Sequence, residues 1–555
     1  MFGKLFSYPI VGTVAAQPLI VSGVLVPGQG GRNILFIVTR QNWVYAFDAE
    51  GNQSVGGEVI WSVNLGAPGK NGIMGTPVID LAKQVIYVVA EVGTGTAYEH
   101  RLHALRLNNG TAVVQPIKIA GSSTNGVPFV STRQMQRPGL ALSGTKVIIA
   151  WGSSDETIHD YYGWVTAYET ANVKFGGQFV QSGIFCTTCN AKDPSGVYSP
   201  GWQRSTWGGI WQAGRAPVID DAGNIFLFTG NGLRDARFLA PPGASYADEP
   251  HSCKTSDTTL LANDNYFAES LIKLGPGPGL PVIGAYRPPN SSGNHGWCKL
   301  DQDDMDLSSS GPTMLRIPGI AGAPAKQALI AGGKDARLYF FDPATNLATK
   351  LTTAFGQEDL IAATAPTNSN PSLEPCVGFE RKALMHIMGG VVPWQRPTGT
   401  LLFHSRENDV VRSFNLNVSV PEAMTISLAK QASPDQLVCD HPGGAITLSA
   451  NGTTSGTGVL WVSSRRREQT TTPVNHSGAG ILRAYNAETM AEMWNSRMNA
   501  GDDIGLVSPM TPPTVANGKV YMVSNSGRIM VFGLSNRASK VAPAAIQAID
   551  QLLLQ

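Results

Sequence analysis

Residues 43–48 read Trp-Val-Tyr-Ala-Phe-Asp, and Ile60-Trp61 follows after a polar stretch. β-Branched and aromatic residues that end in an acidic turn are typical of a β-strand. The strand is preceded by an apolar run at 34–38 and by Ala-Gln-Pro-Leu at 16–19. The sequence therefore predicts four short strands joined by turns between residues 16 and 61.

This pattern of a Pro-led strand, a β-branched strand and an aromatic-rich strand recurs along the chain. Its eight copies contain residues 16–19, 76–80, 147–150, 216–220, 311–313, 391–394, 445–448 and 512–515. A single four-stranded sheet cannot bury both of its faces, whereas sheets stacked around an axis can. We therefore predict an all-β fold, an eight-bladed β-propeller of four-stranded antiparallel blades.

The last copy contains only three strand-like segments. The apolar stretch at residues 5–10 can supply the fourth strand and close the ring. Residues 1–540 then form the propeller, and residues 541–555, which have helical spacing, form a short C-terminal helix packed on it.

Composition agrees with many short strands and excludes several classes of function. The 555 residues include 62 Gly and 36 Pro, and only 15% are charged, which disfavours long helices. The net charge of +1 gives no basic surface for nucleic acid. No stretch approaches the roughly 18 apolar residues of a membrane span.

The long segments between strands indicate where function is located. They are residues 152–163, 183–212, 233–268, 288–310, 356–388, 426–444 and 465–480. With the strands of each blade labelled A to D, all of these are predicted to be B–C or D–A connections. Such connections lie on one side of the disc, which we call the elaborated face, and loops on a rigid scaffold carry function.

All six cysteines fall in these long segments. An even number suits disulfides in an oxidising compartment, so we expect a secreted, extracellular or periplasmic protein. The favoured pairs are Cys253–Cys298 and Cys376–Cys439, while Cys186 and Cys189 could instead form a redox or metal site. Sequons permit glycosylation at Asn52, Asn109, Asn290, Asn417, Asn451 and Asn475.

Several stretches resemble the propellers of pyrroloquinoline-quinone (PQQ) dehydrogenases and related secreted PQQ-repeat proteins. They are Val-Tyr-Ala-Phe-Asp-Ala-Glu-Gly at 44–51 with Trp61, Phe-Gly-Lys-Leu-Phe-Ser-Tyr-Pro-Ile at 2–10, Gly-Gly-Ile-Trp-Gln-Ala-Gly at 208–214, Gly-Gly-Lys-Asp-Ala-Arg-Leu-Tyr-Phe-Phe-Asp at 332–342, Leu-Ser-Ala-Asn-Gly at 448–452 and Pro-Pro-Thr-Val-Ala-Asn-Gly-Lys-Val-Tyr at 512–521. The resemblance covers nearly the whole chain and implies the fold. It implies activity less directly, because many such propellers bind no cofactor.

The resemblance also implies a cofactor site at four positions. Trp211 would lie under the planar quinone, and Asn231 would bind calcium. Asp306, in the acidic run that also holds Asp303 and Asp304, would be the catalytic base and a metal ligand, and Lys334 would contact the cofactor. The calcium-binding Glu of the family has no counterpart in register, since Asp155 and Glu156 are displaced.

Each of these residues also has a simpler interpretation. Trp211 could belong to a blade core, Asn231 to a turn, the acidic run to a solvated loop, and Lys334 to a strand end. His386 and the Glu407-Asn408-Asp409 run also lie at strand ends on the elaborated face and could add ligand contacts. We expect the side chains of His100 and His103, on one strand, to point to opposite faces.

Two functions remain open at this stage. The first is a rigid binding or assembly module that contacts an extracellular protein or glycan through the elaborated face and needs no cofactor. The second is a PQQ- and calcium-dependent alcohol dehydrogenase, with Asp306 as base, Lys334 as electrophilic partner, Asn231 on calcium and Trp211 below the quinone.

Overall fold

Antiparallel strands make up nearly all of the regular structure of the protein. The computed structural model describes residues 2–535 except 52–58, 155–160, 172, 174–176, 190–205, 234–264, 290–295, 318–325, 346, 348–385, 421–422, 434–435, 439–440 and 466–478. The predicted C-terminal helix at 541–555 lies outside the described residues.

The strands form eight separate sheets, one for each predicted repeat. Blade one contains β2 (Leu19–Val26), β3 (Gly30–Val38), β4 (Trp43–Asp48) and β5 (Val59–Asn64). Blade two contains β6 (Val78–Asp80), β7 (Val85–Thr94), β8 (Ala97–Arg106) and β9 (Ile117–Lys118). Blade three contains β11 (Ala141–Ser143), β12 (Lys146–Ser153), β13 (Trp164–Glu169) and β14 (Val180–Cys186), and the short strand β10 (Gln134–Met135) also pairs with β12. Blades four and five contain β16 (Val218–Ile219), β17 (Ile225–Phe228), β19 (Leu271–Leu274), β20 (Val282–Tyr286); and β21 (Thr313–Ile317), β22 (Lys326–Gly332), β23 (Leu338–Phe341).

Blades six to eight complete the set. They contain β24 (Val392–Arg396), β25 (Gly399–His404), β26 (Arg412–Val420), β27 (Ala423–Gln431); β28 (Ala445–Ser449), β29 (Val459–Arg465), β30 (Gly480–Asn486), β31 (Glu492–Asn495); and β32 (Thr514–Ala516), β33 (Lys519–Ser524), β34 (Arg528–Leu534), β1 (Phe2–Pro9). The protein is an eight-bladed β-propeller, as predicted, with three described strands in blade five. Outside the blades lie the pair β15 (Thr206–Trp207) and β18 (Gly232–Leu233), the helix α1 (Trp297–Asp303) and the 3-10 turns Ser131–Arg133, Gln212–Gly214, Leu307–Ser309 and Ala500–Asp502. None of the described helices is long and apolar enough to cross a membrane.

The continuous apolar runs of the inner strands follow from burial of both blade faces. In β3, Ile34, Phe36 and Val38 pack against blade two, whereas Leu35 and Ile37 pack against blade eight. Successive side chains of a strand point to opposite faces, so a strand between two neighbours needs apolar residues at every position. The same arrangement gives one hydrophobic cluster between every pair of adjacent blades.

The N-terminal strand closes the ring, as predicted. β1 pairs antiparallel with β34, from Phe2 opposite Leu534 to Pro9 opposite Arg528. Phe2 is fully buried, and its ring centroid lies 5.3 Å from that of Trp461 and 4.9 Å from that of Trp494. The first residues of the chain therefore complete the interface between blades seven and eight.

The first strands of the blades surround a cavity of about 420 Å³ on the axis. All eight blades contribute to its wall, through residues that include Gln17, Thr76, Leu140, Arg215, Pro312, Val392, Ala445 and Pro512. Burial lowers the pKa of Arg215 to about 10. This wall confirms that the eight sheets share one axis.

The long connections largely follow the predicted register. Segments 152–163, 233–268 and 465–480 join B to C strands, and 183–212 and 288–310 join consecutive blades. Segment 356–388 lies mostly outside the described residues. The prediction was wrong for the starts of 183–212 and 426–444, because β14 continues to Cys186 and β27 continues to Gln431, the latter in a long hairpin with β26. The polar residues of that hairpin conceal its strand pattern.

Truncating Phe2 tests the closure. Phe2→Ala should lower the free energy of unfolding by about 3–5 kcal/mol, because it leaves a cavity between Trp461 and Trp494. Urea denaturation followed by tryptophan fluorescence measures the change. Leu25→Ala is the control, since Leu25 is 75% exposed and its loss should change stability by about 0.5 kcal/mol or less. Equal effects of the two substitutions would contradict closure by β1.

Candidate functional site

The acidic run predicted to hold the base lies between blades four and five. Helix α1 ends at Asp303, and Asp304 adopts a left-handed conformation with φ 57°, which Asp tolerates better than most residues. The chain then turns into the 3-10 turn Leu307–Ser309, with Asp306 immediately before it. This reversal directs Asp304 and Asp306 toward the same neighbouring segment, which follows β17.

Asn231 donates a hydrogen bond to each of the two carboxylates. Its backbone N–H donates to Asp306 Oδ1 at 2.9 Å, and its side-chain Nδ2 donates to Asp304 Oδ1 at 2.6 Å. Its Oδ1 atom is buried and has no hydrogen-bond partner among the described residues. Asn231 therefore does more than form a turn: it holds the acidic run and leaves one oxygen free to bind.

Lys334 lies on the other side of the two carboxylates. Its Nζ atom donates to Asp306 Oδ2 at 2.6 Å and lies 3.2 Å from Asp304 Oδ1. Burial alone would lower the pKa of Lys334, but Asp306 and Asp304 raise it above its usual value. The backbone N–H of Lys334 also donates to the carbonyl of Asp306 at 3.1 Å, which fixes the two segments together.

A glycine makes this close approach possible. A Cβ atom at Gly230 would overlap Asp306 Oδ1 and would lie 2.8 Å from Ser308 Oγ. The N–H of Gly230 donates to the carbonyl of Gly209 at 2.8 Å. Ser308 Oγ donates to the same carbonyl at 3.2 Å. The segment that contains Trp211 is thereby held beside the acidic residues.

Trp211 lies at the edge of this site rather than in a blade core. Its indole is half-buried and packs against the backbone of Gly152 and Gly209, where a Cβ atom would lie 2.7 and 3.1 Å from the ring. Among the described residues, it belongs to none of the eight clusters between blades. A half-buried indole outside the core can support a planar ligand.

Two further acids lie behind Asp306, and neither was identified from the sequence. Glu269 is fully buried; its Oε2 accepts the N–H of Leu307 at 2.8 Å, and its Oε1 has no partner among the described residues. Burial raises the pKa of Glu269 well above its usual range, and Asp301 and Asp306 raise it further. Burial likewise raises the pKa of Asp301, which accepts the N–H of Gly232 at 2.9 Å.

The remaining candidates from the sequence are placed as follows. Asp303 points away from the site and pairs with Lys299 at 2.7 Å. Asp155 and Glu156 lie outside the described residues. His100 lies 3.6 Å from Glu91, while burial lowers the pKa of His103 to about 4.

The cysteines are resolved in part. Cys186 and Cys189 form a disulfide, so this pair offers no free thiolates to a metal in this state. Cys298 is in α1, but its side chain is not described, and Cys253, Cys376 and Cys439 lie outside the described residues. The two pairings favoured from the sequence therefore remain predictions.

Solved structures with the same architecture include three dehydrogenases. The quinohemoprotein alcohol dehydrogenase of Comamonas testosteroni is 15% identical, with 98% of this chain and 78% of that chain covered and a TM-score of 0.54. A europium-containing methanol dehydrogenase is 12% identical, with 96% and 93% covered and a TM-score of 0.52. The quinohemoprotein alcohol dehydrogenase ADHIIG of Pseudomonas putida HK5 is 14% identical, with 98% and 78% covered and a TM-score of 0.50.

The chain has the fold of the quinoprotein dehydrogenases. The resemblance to PQQ-type propellers is thus confirmed at the level of fold, which is all that identities this low establish. No protein-family profile and no curated protein sequence matches the chain. In this propeller, Asp306 is hydrogen-bonded to both Asn231 and Lys334, and the segment of Trp211 is joined to the neighbouring Ser308 through the carbonyl of Gly209. The chemical roles of these residues stay predictions.

Neutralising Glu269 tests the electrostatics of this site. A carboxyl whose pKa is raised by folding binds more protons in the native state, so stability falls as pH rises from about 4 through the raised value. Glu269→Gln should weaken this fall and stabilise the metal-free protein near neutral pH, by on the order of 1–3 kcal/mol. Melting temperatures between pH 4 and 9 in the presence of a chelator measure the effect.

Glu99 is the matched control, because folding shifts its pKa in the opposite direction. A hydrogen bond from Lys118 lowers the pKa of Glu99. Its contribution to stability is present above the unfolded pKa and is lost as pH falls through the folded value. Glu99→Gln should therefore slightly destabilise the protein at neutral pH. If the melting temperature of Glu269→Gln depended on pH as that of the parent protein does, folding would not raise the pKa of Glu269.

Proposed function

We propose that this propeller is a quinone- and cation-dependent alcohol dehydrogenase whose base is Asp306. The observation that carries the proposal is the direct contact of Asp306 with both Lys334 and Asn231 beside the half-buried Trp211. Two proteins of the same fold are named as alcohol dehydrogenases and one as a methanol dehydrogenase. The geometry favours this reading over a binding module, which explains neither the free oxygen of Asn231 nor the buried acids.

The side chains present fit a hard cation. Ca²⁺ and similar ions take six to eight oxygen ligands. Asn231 Oδ1 is a buried oxygen with no partner among the described residues. Asp304 accepts from the side-chain Nδ2 of Asn231, and Asp306 accepts from its backbone N–H. These three residues would hold the ion, with the remaining positions left to cofactor, substrate or water.

The charge balance supports the same conclusion. Glu269, Asp304 and Asp306 interact with the ammonium of Lys334, and Asp301 interacts with Asp306 and with the guanidinium of Arg287, so four carboxyl groups face two cations. Repulsion between neighbouring carboxylates in a partly buried site disfavours their charged forms and so raises their pKa values. A bound cation would relieve that repulsion, and a trivalent ion would relieve more of it than a divalent one.

The residues of the chain would divide the chemistry among them. Asp306 would accept the hydroxyl proton of an alcohol, with its orientation set by the N–H of Asn231 and the ammonium of Lys334. Lys334 would donate a hydrogen bond to a carbonyl oxygen of the bound quinone, and Trp211 would support the planar ring. PQQ, when bound, supplies the acceptor for the two electrons and the hydrogen that leave the alcohol carbon.

Cofactor binding tests the proposal first. The purified protein, stripped with a chelator, is mixed with PQQ and either Ca²⁺ or La³⁺. A ligand at 100 times its dissociation constant should stabilise the protein by about 2.7 kcal/mol, visible as a rise in melting temperature. No stabilisation at saturating PQQ with either ion would overturn the proposal.

Activity tests the role of Asp306. With the loaded protein, dye reduction by a primary alcohol should fall by about 10²–10⁴-fold in Asp306→Asn, because a general base contributes that much. Asp303→Asn is the matched control, since Asp303 is in the same run but pairs with Lys299 away from the site. Equal activity of the two variants would exclude Asp306 as the base.

The alternative is a binding or assembly module for an extracellular protein or glycan. It is supported by the long connections that emerge on the elaborated face. We also propose location in an oxidising compartment outside the cytoplasm, supported by the Cys186–Cys189 disulfide. Failure of PQQ to bind would leave the binding module as the better account of the fold.

A further inference from the structure

A second group of ligating side chains lies on the next two blades. His386 precedes β24 of blade six, Glu407 lies in the connection between β25 and β26, and His441 precedes β28 of blade seven. The three residues are far apart in sequence, and no pair has the spacing of a metal motif. Only the propeller brings them together.

The ligand atoms of this His–Glu–His cluster converge on one point. His386 Nδ1 lies 3.0 Å from Glu407 Oε2, and His441 Nδ1 lies 2.5 Å from Glu407 Oε1. One ligand atom from each residue can be chosen so that all three lie within 4.8 Å of one another. His386 is 8% exposed and Glu407 4%, and His386 Nε2 has no partner among the described residues.

The surrounding backbone holds the cluster in place. The N–H of Glu407 donates to the carbonyl of His386 at 3.2 Å. Gly443, with φ 80°, lets the turn after His441 approach, since a Cβ atom there would lie 3.1–3.2 Å from the backbone of Arg406 and Glu407. A backbone hydrogen bond and a close backbone approach thus position the ligands, which favours metal binding over a chance surface contact.

Two arginines close to Glu407 are hydrogen-bonded to Asp409, so the carboxylate of Glu407 faces the two histidines. Asp409 Oδ2 accepts from Arg406, and both oxygens of Asp409 accept from Arg412, so these guanidinium groups are engaged elsewhere. Burial would raise the pKa of Glu407, but hydrogen bonds from His386 and His441 lower it. A buried carboxylate flanked by two imidazoles is a donor set suited to a borderline divalent cation.

We propose that His386, Glu407 and His441 form a binding site for one Zn²⁺-class ion. Two imidazole nitrogens and one carboxylate oxygen are three of the four ligands of a tetrahedral zinc site. Metal–ligand distances of about 2.0–2.2 Å place two tetrahedral ligands roughly 3.4 Å apart. The ion would therefore replace the two His–Glu hydrogen bonds and widen their N–O separations from 3.0 and 2.5 Å. His441 is half-buried, so the fourth position opens toward solvent on its side and can take water or a ligand.

This site is separate in chemistry from the proposed cation site at Asp306. Asp306, Asp304 and Asn231 offer only oxygen, which suits hard ions, whereas imidazole suits zinc, copper, nickel and cobalt. The two sites are adjacent, since the N–H of Ile387 donates to the carbonyl of Gly333 at 3.2 Å. The inference does not depend on the dehydrogenase proposal.

Cobalt titration of the full chain tests the site. After chelator treatment, Co²⁺ should bind with one equivalent per chain and give the strong visible absorption of tetrahedral Co²⁺, and Zn²⁺ should abolish that absorption. His441→Ala should weaken Co²⁺ binding by at least about a hundredfold, since losing even an outer-shell partner weakens metal binding 10–100-fold. Because His441 is partly exposed, this variant should remain folded. Glu407→Gln should have the same effect on binding.

Two variants separate this site from the other possibilities. His100→Gln removes a histidine that faces one carboxylate, Glu91, with no third ligating side chain in the part of the chain that the structure describes, and it should bind Co²⁺ normally. Asp306→Asn should also keep the tetrahedral absorption even if it abolishes quinone chemistry. Absence of the absorption in the parent protein, or its persistence in folded His441→Ala, would overturn the proposal.

Discussion

The pairing of the first strand with the last is the constraint on which the rest of the structure depends. Each blade buries both faces against its neighbours, so an open ring would leave two faces in water. β1 prevents this by joining residues 2–9 to residues 528–534. The closed ring then fixes the relative positions of neighbouring blades, and both clusters on the elaborated face are built across such boundaries.

The site between blades four and five shows what this rigidity allows. Buried carboxyls are ordinarily destabilising unless they are paired or hydrogen-bonded. The carboxylate of Asp306 has two partners, the backbone N–H of Asn231 and the ammonium of Lys334, whereas one oxygen of Glu269 has none among the described residues. The apolar surface buried between the blades offsets the cost of this buried carboxyl. Carboxyls with strongly shifted pKa values are found more often at functional sites than elsewhere.

The sequence predicted the fold well because the blade repeat is local. Eight copies of one strand pattern, and an unpaired apolar stretch at the start, are visible without tertiary information. Trp211, Asn231, Asp306 and Lys334 could be named because each lies in a short motif. Glu269, Asp301 and His441 could not, since their roles arise from contacts between distant segments, and His386 and Glu407 were named only as possible ligand contacts, without the partner that joins them. The end of β27, residues 426–431, was missed because its apolar residues are interrupted by serine, lysine and glutamine.

Hard and borderline cations would be sorted on this face by ligand chemistry alone. Around Asp306 the proposed donors are oxygens and the carboxyl groups outnumber the neighbouring cations Lys334 and Arg287, so affinity would rise with the charge of the ion. At His386 the donors include two imidazoles, and Asp409 keeps the neighbouring arginines away, so affinity follows preference for nitrogen. One hydrogen bond, from the N–H of Ile387 to the carbonyl of Gly333, joins the two segments, so the two proposed sites are neighbours. Two neighbouring ions of different kinds are therefore compatible with one rigid frame.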